Sequence, residues 1–116
     1  MSYDITIAGE DFNYTSNVGC LFYEHIPPSE YGGRGGIHAI NGKTGREAFD
    51  ILSDAFDRID HTRHVLWRDD MVGDPVMCAR YDAPNGWGSL IGALIFLAKI
   101  MAACARSPRS KVRVYA

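Results

Sequence analysis

Several features that would assign this chain of 116 residues to a functional class are scarce or missing. Its three cysteines, Cys20, Cys78 and Cys104, have no Cys-x-x-Cys spacing, so the sequence indicates reduced thiols rather than a disulfide framework or a zinc site. The first residues have neither a basic start nor an apolar signal core. These absences predict a single cytoplasmic domain, residues 1–116, with an ordinary globular composition.

Charge of one sign is missing from each end of the chain. Five acids and no base precede Arg34, whereas five bases and no acid occupy residues 99–116. The net charge of −2 does not indicate a nucleic-acid partner, and the C-terminal bases lack interleaved aromatic residues. We therefore expect the two ends to lie near each other in the fold.

The most apolar segment is residues 90–106, where apolar residues recur at helical spacing around nearly the whole circumference. Lys99 interrupts it, and the run is shorter than the ~20 residues needed to span a membrane. A buried helix is therefore predicted. A chain of this length can hardly cover such a helix on every side, so we expect a homo-oligomer in which a second copy covers part of it.

A Pro-Asn-Gly turn at residues 84–86 precedes this helix, and either Asn85 or Ser89 is expected to cap it. Gly92 lies inside the helix. Glycine there costs about 1 kcal/mol relative to alanine unless another backbone approaches closely.

Alternation of apolar and polar residues predicts strands near both ends of the chain. Residues 3–8 and 12–16 alternate around a turn at 9–11, which predicts a β-hairpin. Residues 111–115 also alternate, and we expect this basic strand to pair with the acidic hairpin.

A further helix is predicted from Gly45 to about Leu66, opened by a capping box of Thr44 and Glu47. Its apolar stripe consists of Ala48, Leu52, Ala55 and Ile59. Residues 18–26 fit either a third strand or a short helix, residues 27–36 predict a loop, and residues 37–40 suggest a short extended piece. The sum is a two-layer α+β fold, in which a small antiparallel sheet of the hairpin and the C-terminal strand packs with two helices.

Three short patterns carry a resemblance to a known family. They are Asn13-Tyr14-Thr15-x-Asn17-Val18, Gly42-x-Thr44-Gly45-x-Glu47-Ala48, and Asn85-Gly86-Trp87-Gly88 before an apolar helix and a short basic strand. Together they resemble a family of short, mostly uncharacterised proteins encoded by bacteriophages and prophages, notably of actinobacteria. The resemblance implies a viral origin and a location in the host cytoplasm, but it implies no activity and no catalytic residues.

The candidate ligand site is the beginning of the C-terminal helix, where free backbone amides would form an anion site and Trp87 would stack beside the ligand. A polar row on the hairpin would approach it from the sheet. The candidate binding residues are Asn13, Thr15, Asn17, Asn85, Gly86, Trp87, Gly88 and Ser89. The alternative is that Trp87 anchors the turn in the core and the polar row faces water.

Two enzymatic alternatives rest on other residues. A metal-dependent enzyme would use three residues that share one helix face, Asp57, His61 and His64, although a solvated face is the commoner explanation of such charges. A cysteine-dependent enzyme would use Cys20 as the nucleophile, with His25 or His38 as its base.

The sequence thus favours a non-enzymatic binding protein that needs no cofactor and acts in the host cytoplasm. It would counter a host defence by binding a host protein or by sequestering a small anionic or nucleotide ligand. A small metal- or cysteine-dependent enzyme is the first alternative, and a homo-oligomeric structural or assembly protein is the second.

Overall fold

A computed structural model of the chain describes residues 2–15, 19–27, 35–68 and 88–115, and gives residues 63–68 as backbone only. The elements are β1 (Ser2–Ile7), β2 (Glu10–Thr15), α1 (Gly19–His25), a 3₁₀ helix (Gly36–Ile40), α2 (Gly45–Arg68), α3 (Leu90–Arg106) and β3 (Arg113–Tyr115). The strands form one antiparallel sheet in the order β2-β1-β3. The predicted α+β fold, with a sheet built from the N-terminal hairpin and the C-terminal strand, is confirmed.

The hairpin turn is shorter than the sequence suggested. Ala8 and Gly9 alone connect the strands, with φ angles of 50° and 80°, and Ile7 pairs directly with Glu10. Positive φ at both central residues is the geometry of a type I′ turn, whose twist matches that of the flanking strands. The predicted turn at residues 9–11 was wrong by about two positions because Ala8 is not a typical residue for this conformation.

β3 completes the sheet on the other side of β1, where Val114 lies opposite Ile5. The backbone N–H of Val114 also donates to Asn41 Oδ1 at 3.0 Å. Near the turn, Arg106 Nη2 lies 2.7 Å from Glu10 Oε1. The expected proximity of the acidic and basic ends is therefore confirmed, although an exposed ion pair of this kind contributes little stability.

The capping box at the start of α2 forms as predicted. Thr44 Oγ1 accepts from the Glu47 N–H at 3.3 Å, while Glu47 Oε1 accepts from the Thr44 N–H at 3.2 Å and from Thr44 Oγ1 at 2.9 Å. These bonds to the carboxylate lower the pKa of Glu47. The predicted apolar stripe of α2 is fully buried: Ala48, Leu52, Ala55 and Ile59.

α3 packs against α2 and β2, and Ser89 caps it by accepting from the Gly92 N–H at 2.9 Å. One face of α3 is buried, including Leu97, Ile100 and Cys104. In the described part of the chain, no helix is long and apolar enough to cross a membrane.

Between the hairpin and α2, the structure decides one open assignment and corrects one prediction. Residues 19–25 are helical, and the predicted extended piece at residues 37–40 is instead the 3₁₀ helix. A 3₁₀ helix has three residues per turn, so Ile37 and Ile40 fall on the same side. Both are fully buried, which explains why the two isoleucines favour this turn over an extended chain.

Candidate functional site

β2 lies at one edge of the sheet, and within the described residues only β1 pairs with it. Because the hairpin turn has two residues, backbone hydrogen bonds to β1 come from Glu10 and from every second residue after it. The N–H and C=O groups of Asp11 and Asn13 therefore point away from β1. These groups are available to an additional strand.

Tyr14 fastens β2 to the beginning of α3. Its hydroxyl accepts from the Ser89 N–H at 3.1 Å and lies 3.3 Å from the Ser89 carbonyl oxygen, to which it can donate. Its ring stacks on Phe96, with centroids 5.2 Å apart. A methyl group at Gly92 would overlap the Tyr14 hydroxyl. The close approach that Gly92 predicted is thus made by a side chain rather than by another backbone.

A groove of about 340 Å³ runs between β2 and α3. The strand contributes Asp11, Phe12, Asn13 and Tyr14, and the helix contributes Gly92, Ile95, Phe96 and Lys99. Ile95 is 52% exposed and forms an apolar part of the helix wall. The groove is at the small end of the volumes typical of ligand sites, and one of its walls is the edge strand β2.

Some polar groups of the groove are already hydrogen-bonded within the sheet, and others can contact a ligand. Asp11 accepts from Thr6 Oγ1 at 2.8 Å, and Asn13 Nδ2 donates to Asp4 Oδ1 at 2.6 Å. Both side chains therefore have cross-strand partners on β1. What the groove offers a ligand is the outward backbone of β2, the apolar surface of Ile95 and the exposed ammonium of Lys99.

The predicted ligand residues are only partly brought together. Asn17, Asn85, Gly86 and Trp87 lie outside the described residues. Gly88, with a φ of 111°, leads into α3. Ser89 lies beside β2 as expected, but Tyr14 makes the contact, whereas the side chain of Asn13 bonds to β1 and Thr15 ends the strand.

The beginning of α3 already satisfies part of its own backbone. The Ser89 N–H donates to Tyr14, and the Gly92 N–H donates to the Ser89 side chain. Fewer amides are therefore available to an anion than the sequence suggested.

The candidate metal ligands Asp57 and His61 are exposed on α2, while the side chain of His64 is outside the described part. Among the residues whose side chains are described, no group of three or more His, Cys, Asp or Glu residues is placed to hold a metal ion. The metal site stays a prediction, since it depends on His64.

The candidate cysteine–histidine pairs involve side chains in different surroundings. Cys20 is exposed. The ring of His25 is buried, with Nδ1 2.7 Å from the Leu21 carbonyl oxygen and Nε2 3.2 Å from Thr62 Oγ1. His25 thus links α1 to α2. His38 packs edge-on against Tyr3, with centroids 6.0 Å apart.

Cys104 is a different kind of thiol. It is fully buried on α3, and burial raises its pKa to about 11. A thiol that stays protonated is a poor nucleophile, so Cys104 has a packing role.

Sequence reasoning missed the groove, although its parts were visible. Phe12 and Tyr14 share one side of β2 by simple alternation, and Lys99 is the only charge of the apolar run before Arg106. The glycine at position 92 was the available signal, because it marks where α3 is approached. Nothing in the sequence states that the approaching group is Tyr14.

No protein-family profile, curated protein or solved structure matches this chain. The resemblance to phage proteins therefore stays a prediction.

Proposed function

We propose that this protein is a binding protein that accepts an extended segment of a partner protein in the groove between β2 and α3. The observation that carries the proposal is the free edge of β2 beside an open groove. Strand addition to such an edge uses main-chain hydrogen bonds for affinity and a neighbouring pocket for selectivity.

The spacing of the groove walls defines the kind of segment that would fit. An added strand would direct alternate side chains toward α3, on the same side as Phe12 and Tyr14. Ile95 and Lys99 are four residues apart, which is about 6 Å along a helix, and two residues of a strand span about 6.6 Å. We therefore propose a segment with an apolar residue against Ile95 and an acidic residue, two positions away, against Lys99.

The partner we propose is a host protein, and binding it would counter a host defence. This part of the proposal is supported by the resemblance to phage proteins alone. The groove favours a protein segment over a small anionic or nucleotide ligand, because Tyr14 and Ser89 occupy two backbone N–H groups at the start of α3.

The test begins with a displayed library of random ten-residue segments, selected on the immobilised full chain, followed by synthesis of the enriched peptide. Asn13→Pro removes the outward N–H and leaves the backbone hydrogen bonds to β1 in place, whereas Asn13→Ala retains that N–H. Both variants lose the side-chain bond to Asp4, so they differ at the outward N–H. We expect at least about tenfold weaker binding for Asn13→Pro than for Asn13→Ala, with circular dichroism confirming that both are folded.

Equal affinities of the two Asn13 variants would overturn strand addition, as would the absence of any enriched segment. Amide chemical shifts provide a second readout. We expect peptide-induced changes at Asp11, Asn13 and Lys99, and changes confined to other surfaces would contradict the proposed groove.

A second candidate function is homo-oligomeric assembly. It is favoured by Ile91 and Ile95, which remain 48% and 52% exposed on the most apolar helix of the protein.

A further inference from the structure

One face of α3 carries an exposed stripe that we name the α3 seam. It consists of Ile91, Ile95, Ala98, Ala102 and Ala105, all exposed. Their spacing alternates between four and three residues, which is the seven-residue repeat that keeps a stripe facing a partner helix. The seam has no charged member, whereas the surfaces of soluble helices are ordinarily polar.

The seam is large at one end and small at the other. Ile91 and Ile95 lie toward the start of α3, and the three alanines lie toward its end. If two copies pack antiparallel about an axis near Ala98, Ile91 of one copy lies opposite Ala105 of the other, and Ile95 lies opposite Ala102. Every layer then combines one large and one small side chain, apart from the central alanine pair.

A parallel pair would lack this complementarity. Isoleucine would meet isoleucine at one end and alanine would meet alanine at the other, so the two helices would be held apart at one end and leave voids at the other. Helix pairs pack at a nearly constant interaxial distance without voids. A two-fold dimer brings the same patch of both copies together, and of the two directions the antiparallel one places the isoleucines of this patch against its alanines.

Charges beside the seam are compatible with this arrangement. Arg106, at the end of α3, is paired with Glu10 of its own chain at 2.7 Å. Lys99 borders the groove, where Asp11 supplies a charge of opposite sign. Arg106 is therefore paired within its own copy, and Lys99 shares the groove with a carboxylate.

We propose that two copies of this chain associate through antiparallel packing of the α3 seam. The dimer does not depend on the proposed peptide binding, although Ile95 belongs to both surfaces.

The first experiment is sedimentation velocity from micromolar to near-millimolar protein. Ala98→Glu places two carboxylates against each other at the axis, and we expect its dimer dissociation constant to rise at least about tenfold. Tyr115→Glu is the matched control, because it adds the same charge at a position of β3 that is 60% exposed. It should dimerise like the unmodified chain.

The second experiment tests the direction of packing by oxidative cross-linking in a Cys20→Ser, Cys78→Ser background. Ala98→Cys of one copy should form a disulfide with Ala98→Cys of the second copy. Ile91→Cys should not, because 14 helical residues, or about 21 Å, would separate the two thiols, far beyond the reach of a disulfide. A mixture of Ile91→Cys and Ala105→Cys should cross-link.

Several results would overturn the proposal. They are a monomer at every concentration, a dimer that persists in Ala98→Glu, and self-cross-linking of Ile91→Cys. A monomer whose Ile91→Cys thiol resists a water-soluble reagent would mean that another part of the same chain covers the seam.

Failure of the dimer can be told apart from failure of the peptide site. Ile91→Asp should abolish dimerisation and leave peptide binding intact, since Ile91 does not line the groove. Ile95→Asp should weaken both.

Discussion

Gly92 shows how one absent side chain connects two parts of the fold. Inside α3, a glycine is unfavourable by about 1 kcal/mol relative to alanine. The space it leaves is filled by the Tyr14 hydroxyl, which contacts the Ser89 backbone within 3.3 Å through both its N–H and its carbonyl oxygen. The intrinsic weakness of the helix at this point is offset by attachment of the edge strand.

Gly92→Ala is therefore expected to destabilise the protein by about 1–3 kcal/mol, because the added methyl group displaces Tyr14. In a Tyr14→Phe background the hydroxyl is absent, and the same substitution should be less damaging by at least about 1 kcal/mol. Urea denaturation of the four proteins measures the coupling. Additive effects would show that Tyr14 is not the reason for glycine at position 92.

At the scale of the secondary structure elements, the sequence predicted correctly the buried faces that follow from a regular spacing of apolar residues. The stripe of α2 and the alternation of β1 both describe a buried face, and both were confirmed. The 3₁₀ helix was missed because Ile37 and Ile40 alone do not define a period. The groove could not be predicted, since it depends on the contact between Tyr14 and Ser89, which are 75 positions apart.

The capping box of α2 gives a pH dependence with a definite sign. The pKa of Glu47 is lowered from its ordinary value of 4.5, so its contribution to stability is present above that value and is lost as the pH falls through the folded-state pKa. Between about pH 6 and pH 3, the unmodified chain should lose more stability than Glu47→Gln.

Asp50→Asn is the matched control for this measurement, because it removes one exposed carboxylate from the same helix without touching Thr44. Thermal melts across the pH series provide the readout. If Glu47→Gln and the unmodified chain lose stability in parallel, the capping carboxylate has no measurable role.

The whole molecule depends on β1, which holds β2 on one side and β3 on the other. Val114→Ala removes buried volume opposite Ile5. We expect a loss of about 1–3 kcal/mol, a large share of the stability of a small domain. The helical signal in the far ultraviolet and the tyrosine signal in the near ultraviolet should fall together on heating.

Tyr115→Ala is the control, since Tyr115 is the adjacent residue of β3 and is 60% exposed. It should change the melting temperature much less. A helical signal that survives after the tyrosine signal is lost would show that the sheet and helices unfold separately.

The central position of β1 also sets the order of events during synthesis. Of the described elements, β1 leaves the ribosome first and β3 last. Ile5 and its partner Val114 are about 110 residues apart, so about 5–20 s of translation pass before the two strands can pair. The hairpin can form early, but the side of β1 that pairs with β3 has no native neighbour throughout that interval. The nascent chain is therefore open to wrong strand pairing for nearly the whole time it takes to make it.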